Sequence, residues 1–235
     1  MIKFFSKITF ITILICCTSF FAKAQLGYEF YKFDLGVSAG FDQVFGAAPT
    51  SPFTESFNVN FSYNPSPFLN VVAEGQFGTF AGGSLNTFSR RKFASNFNAY
   101  TLRFQIQAGE FIDYQNNALA NALKNVYVAS GIGLEFSQTT SITRTNTYGN
   151  SYSPGPNNTA DFFIPFRLGY EFKIFNKYNE PSVKIDIADN VNLILNNNID
   201  GYLAKYATFG VYSQISVGVK FALGTHESYR KQIAY

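Results

Sequence analysis

The sequence predicts an all-β protein, a closed, antiparallel, up-and-down transmembrane β-barrel of about eight strands, with short periplasmic turns and long extracellular loops. Three observations predict it. Charged residues make up only 14% of the chain and aromatics 18%, with 28 Phe, 15 Tyr and no Trp, whereas an ordinary soluble domain carries about 25% charged residues. Mean hydropathy is −0.01, too low for a bundle of apolar helices but suited to strands that are half apolar and half polar in a bilayer. Alternation of apolar and polar residues with period two then recurs along the whole chain.

Residues 1–24 read as a cleaved signal peptide. Lys3 and Lys7 precede an apolar-to-neutral run from Ile8 to Phe21, too short to span a bilayer comfortably, and Ala22-Lys23-Ala24 supplies the small-x-small cleavage pattern before Gln25. Lipidation at Cys17 is disfavoured, because Leu14-Ile15-Cys16 lacks the small residue such processing requires. Residues 25–235 form the barrel domain. The formal charge of +3 resides in Lys3, Lys7 and Lys23, so the barrel domain is neutral overall and its composition gives no reason to expect a nucleic-acid partner. Cys16 and Cys17 leave with the signal, so no disulfide, thiolate metal site or thiol nucleophile is expected afterwards.

The first strand reads Phe33, Leu35, Val37, Ala39, Phe41 against Asp34, Gly36, Ser38, Gly40. The second alternates at Phe57, Val59, Phe61, Tyr63, and after the Asn64-Pro65-Ser66-Pro67 turn the third runs from Leu69 to Phe77. The fourth alternates from Tyr100 to Ala108. Next comes a longer inner connection, residues 111–125, where residues 117–124 hold good helix formers. The fifth strand runs from Val126 to Phe136 and the sixth from Ile164 to Phe172. The seventh begins Val183, Ile185, Ile187 and loses its alternation at Ala188-Asp189-Asn190. The eighth alternates from Phe209 to Phe221. Long loops are expected over 42–54, 81–96, 138–160 and 196–206, on the side opposite the short turns.

The polar face decides which way the strands point. It is rich in glycine and short polar residues, and its charges are few and of both signs: Asp34, Glu74, Glu135, Glu171 and Asp186 against Arg103, Arg167, Lys184 and Lys220. A wetted exterior would carry more long charged side chains. An eight-stranded lumen is just wide enough for side chains to fill it, and mixed charges can pair across it. Phe, Leu, Ile and Val of the other face would meet lipid, with Tyr28, Tyr31, Tyr63, Phe68, Phe175, Tyr178 and Phe221 as candidates for the interfacial girdle.

The Leu-Gly-Val-Ser-Ala-Gly strand from Leu35, the Asn-Pro-Ser-Pro-Phe turn from Asn64 leading to Glu74-Gly75-Gln76, Val-Ala-Ser-Gly-Ile-Gly from Val128 and Ser-Val-Gly-Val-Lys-Phe from Ser216, together with the signal segment, resemble the small outer-membrane β-barrel proteins of the OmpA/OmpX type from Gram-negative bacteria. The resemblance implies Sec-type export and an outer-membrane location. It also implies contact with outer-membrane lipid and lipopolysaccharide, and the barrel-insertion machinery as a partner during biogenesis. One departure is the chain that continues past Phe221 through Thr225-His226-Glu227 to Tyr235, where family members usually end.

His226 is the sole histidine, and it falls in the expected periplasmic tail, away from where a membrane hydrolase needs its base. No catalytic set, cofactor site or metal site is expected. Arg90-Arg91-Lys92 is the one charge run, a candidate anion contact in a loop that is otherwise simply solvated. The sequence therefore reads as a non-enzymatic barrel with a structural or loop-mediated binding role and a lumen plugged by polar side chains. A narrow porin-like diffusion channel and a soluble lipocalin-like binding barrel are the alternatives.

Overall fold

A computed structural model describes residues 28–46, 48, 50–87, 90–114, 117–145, 152–178, 180–196, 199–202 and 209–229. The signal segment and the Ala24/Gln25 junction lie outside the described residues. The strands are β1 (Tyr28–Phe45), β2 (Thr54–Ser66), β3 (Leu69–Gly83), β4 (Lys92–Gln107), β5 (Val126–Thr143), β6 (Asn158–Phe175), β7 (Pro181–Ile194) and β8 (Gly210–Tyr229). Each pairs antiparallel with its neighbour in sequence, and β1 pairs with β8, so the sheet closes into a barrel with no free edge around its body. A short helix α1 (Ala118–Leu123) fills the expected inner connection, where the Asn117 side chain caps it by accepting from the amides of Leu119 and Ala120.

Period-two alternation fixes the register, because a slip of one residue would exchange the two faces. Val37 stands opposite Val59 on β2 and Val219 on β8, while Ser38 stands opposite Asn58 and Gly218. Leu35, Val37, Phe41, Phe57, Phe61, Leu102, Phe104, Ile132, Phe166, Leu168 and Val217 are exposed on the outside, and Asp34, Glu74, Arg103, Arg167 and Lys220 are buried inside. A soluble lipocalin-like barrel has the opposite arrangement, and this exterior rules it out: the fold is a transmembrane one.

The strands are longer than the ~9–11 residues that cross hydrocarbon, reaching 18 in β1, β5 and β6 and 20 in β8. The apolar outer band accounts for only part of that length. Above it on β2, β4 and β5, Glu55, Asn96, Asn98 and Gln138 face outward, and the β3–β4 and β4–β5 ladders continue to Gly83–Lys92 and Lys92–Thr143. Residues 81–83, 92–96 and 138–143, expected to be loop, are therefore strand. They were hidden because the hydrophobic phase inverts there: Phe80, Phe93 and Phe97 point inward while polar residues face water.

Three further expectations change. The seventh strand continues through Ala188-Asp189-Asn190, with Asp189 outward and reached by the Ser213 hydroxyl at 3.2 Å. Phe68 is no girdle residue; it is fully buried, with its ring edge-on to Tyr114. The stretch after Phe221 is strand rather than tail as far as Tyr229, paired with the start of β1.

Candidate functional site

The lower lumen is an ionic layer. Glu74 on β3 and Arg103 on β4 meet through two parallel hydrogen bonds of 2.8 Å each, both side chains buried. This is the bidentate geometry that makes an arginine–carboxylate pair strong. Arg167 on β6 lies 3.9 Å from the same Glu74 and binds Asp186 on β7 at 3.1 Å. Its Nε donates to the Tyr127 hydroxyl at 3.0 Å, and that hydroxyl donates to Asp186 at 2.6 Å. Lys220 on β8 bridges Asp186 at 3.2 Å and Glu171 at 2.5 Å. Toward the periplasmic mouth Lys184 pairs with Asp34 at 2.5 Å, and Asn64 donates to the same carboxylate at 2.8 Å. Ions cut off from water survive only with partners of this quality. The ring of Tyr127 covers Gly169, where an added Cβ would come within 2.5 Å of it, so that bare position gives the tyrosine its place.

The upper lumen is apolar. Val44, Phe80, Phe93, Phe97, Phe163, Ile194, Ile199, Tyr202 and Tyr212 form one buried cluster inside the barrel wall. Phe80 and Phe97 stack at 3.7 Å with their planes 3° apart, and Tyr212 tilts against both. The lumen face was expected to be rich in glycine and short polar residues with a few charges, and this aromatic layer departs from that expectation. Beside it on β4 and β5 the outward residues are Asn96, Asn98 and Gln138, and there the phenylalanines turn inward and are buried away from water. The recess between Phe30, Asn64, Pro67, Lys173, Pro181 and Lys184 at the periplasmic mouth holds no enclosed space wide enough for a water molecule.

Glu135 lies at the boundary of the two layers. It is buried opposite Asp161 on β6, and neither of its oxygens has a hydrogen-bond partner. Asp161 accepts from Asn196 at 3.0 Å through one oxygen and leaves the other unpaired. The nine charged residues assigned to the lumen from the sequence are thus all inside, and eight are joined by ion pairs; Glu135 stands apart.

At the extracellular end two arginines bind the loops together. Arg144, after β5, donates to the carbonyls of Gly201 at 2.7 Å and Ser153 at 3.3 Å, and to the Asn157 side chain at 2.8 Å. Arg91 donates to the Ser153 hydroxyl at 3.1 Å and lies 5.3 Å over the ring of Tyr202. Of the basic run, then, Arg91 is engaged with other loops and Lys92 opens β4 with its side chain exposed. Arg90 occupies the left-handed backbone region at φ 50°.

Sequence reasoning overlooked Tyr127, Gln107, Lys173 and Arg144 as network members. Gln107 donates to Glu171 at 2.5 Å and accepts from Lys173 at 2.7 Å. Strand parity already pointed to Lys173, which follows Arg167, Gly169 and Glu171 on the same face. Arg144 lies beyond the alternating segment and left no such signal.

No family model matches the chain, and no curated protein does. Among solved structures it is similar to Neisserial surface protein A at 13% identity and a TM-score of 0.46, over 82% of this chain and 97% of that one. It is similar to Ail of Yersinia pestis, solved in complex with the heparin analogue sucrose octasulfate, at 11% identity and 0.44, over 85% and 100%. The outer membrane protein OprG of Pseudomonas aeruginosa follows at 12% and 0.38, over 82% and 98%. The chain's own register and its outward apolar band carry the structural conclusion: this is an integral transmembrane β-barrel.

Proposed function

We propose that the protein is a non-enzymatic barrel whose lumen is closed to solutes and whose extracellular loops make its contacts. One observation supports this reading: two layers of buried side chains lie inside the barrel, the ion-paired residues that include Asp34, Lys184, Glu74 and Arg103, and the Phe80, Phe97 and Tyr212 layer above them. An eight-stranded barrel has an interior just wide enough for side chains to fill it, so such layers leave little room for a solute. Arg91 and Arg144 tie together described loop residues at this end, and Arg90 and Lys92 offer lipopolysaccharide phosphates or another anionic partner charge-assisted hydrogen bonds there. The sole histidine is at the far, periplasmic rim, where it can serve no outer-leaflet hydrolase.

Planar-bilayer recording tests the closed lumen. The expected trace is a flat baseline after insertion, with insertion verified independently by the shift of the heat-modified band on gels. Reproducible single-channel steps from the unaltered protein would overturn the reading in favour of a narrow diffusion channel.

A further inference from the structure

We infer that the periplasmic rim carries a binding site for a first-row divalent cation, built from Glu29, Glu180 and His226. The three residues are remote in sequence, and the barrel's closure brings them together. In the β1–β8 ladder His226 stands opposite Tyr31. Glu29 lies two residues from Tyr31 and so shares its face, which sets the Glu29 and His226 side chains on one side of this ribbon. Glu180 enters from the turn between β6 and β7. One potential ligand atom from each residue lies within 4.8 Å of the other two, and the Nδ1 of His226 is 3.7 Å from Oε1 of Glu180.

Those distances suit a metal better than they suit a direct contact. At 3.7 Å the imidazole and the carboxylate make no hydrogen bond. A cation bound tetrahedrally at roughly 2.0–2.2 Å holds its ligand atoms about 3.4 Å apart, so side-chain shifts within an ångström or so complete the site. The Glu180 carboxylate is already oriented for the task. Its Oε2 accepts from Asn176 and from the Tyr31 hydroxyl, each at 2.8 Å, leaving Oε1 turned toward His226. Partners behind a ligand commonly fix it in this way. Glu227 does not compete, because it is paired with Lys32 at 2.6 Å.

One imidazole nitrogen with two carboxylates, and room for water in the remaining positions, selects zinc or a similar transition cation over magnesium and calcium, which prefer all-oxygen shells. A bound cation would fasten the β1–β8 seam to the β6–β7 turn at the height where β8 runs past β7 and no longer pairs with it. Spacing rules cannot reveal such a site, since each ligand comes from a different hairpin.

The single histidine makes the test direct. The tag-free protein in lipid nanodiscs is titrated with zinc chloride while the His226 imidazole resonances are followed by NMR, with calorimetry in parallel. We expect a saturable one-to-one shift, loss of binding in His226→Ala, and affinity at least about tenfold weaker in each of Glu29→Gln and Glu180→Gln. Gel mobility of the folded variants should match the parent. Three results would overturn the site: an imidazole unmoved by zinc up to about 1 mM, corresponding to a binding free energy near −4 kcal/mol; unchanged zinc affinity in either glutamine variant; or an equal response to magnesium.

Discussion

Glu135 and Asp161 stand directly opposite one another across the β5–β6 ladder, and Glu135, 1% exposed, has no hydrogen bond to either oxygen. Two buried acidic groups side by side bear a desolvation cost, and among the described residues neither has an ion-pair partner to offset it. Glu135→Gln removes that cost, keeps the volume, and supplies two N–H donors within reach of the unpaired Asp161 oxygen. The variant is expected to be more stable by about 1 kcal/mol, read as a higher urea midpoint by circular dichroism in liposomes. A lower midpoint would show that the Glu135 carboxylate has a partner that these contacts do not include.

The pair of Glu74 and Arg103 should behave in the opposite way. Arg103→Met strips Glu74 of both 2.8 Å bonds and leaves Arg167, at 3.9 Å, as its one remaining ion-pair partner among the described residues. Breaking one side of a buried pair typically costs about 3–5 kcal/mol, whereas replacing both sides with apolar groups is often close to neutral. The double variant Glu74→Leu/Arg103→Met should therefore recover most of the stability lost by the single one. If it unfolds at the same urea concentration as Arg103→Met, the loss lies in packing rather than in an orphaned charge.

Arg144→Ala should release the extracellular loops while sparing the barrel. The guanidinium holds the Gly201 and Ser153 carbonyls and the Asn157 side chain, and hydrogen bonds to a charged group contribute about 1.5–3 kcal/mol. That loss of local order corresponds to roughly tenfold or faster loop cleavage by an external protease acting through local opening. The urea midpoint of the barrel should stay within about 0.5 kcal/mol of the parent, as for changes away from the core. A lowered midpoint with unchanged cleavage would place Arg144 in the barrel's own stability instead.

What the sequence made legible follows the physics of the solvent. Where a strand crosses lipid, apolar-out and polar-in alternation is clear, so β1 and the charged lumen from Asp34 to Lys220 could be read directly. Where the same strands rise into water the rule reverses. Phe80, Phe93 and Phe97 then alternate with Thr79, Asn96 and Asn98 in the opposite phase, and a reader following one phase sees a loop. Asp189 made β7 look broken for a different reason: it is a single outward polar residue between the outward Leu168 and Ile215, and it interrupts an apolar face that resumes at Val191. Pairings such as Lys184 with Asp34, and the meeting of Glu29, Glu180 and His226, depend on strand register around a closed ring and have no local signature.

The edge of the lipid belt gives a graded test of the membrane placement. Val37 lies midway between Phe33 and Phe41 on the outer face of β1, flanked by Val59 and Val219. Asn98 lies outward on β4 opposite Phe136 and Phe77, one outward position above Tyr100. An arginine at mid-bilayer on the lipid face of a barrel costs about 2–4 kcal/mol, and one near the interface about 0–1 kcal/mol. Val37→Arg should accordingly lower folding stability in phospholipid vesicles by the larger amount and Asn98→Arg by the smaller. In detergent micelles, which deform around a charge more readily, the gap between the two should narrow. Equal penalties in vesicles would mean that the hydrocarbon reaches as high as Asn98, and the inversion of the hydrophobic phase at Phe97 would then need a cause other than the passage from lipid to water.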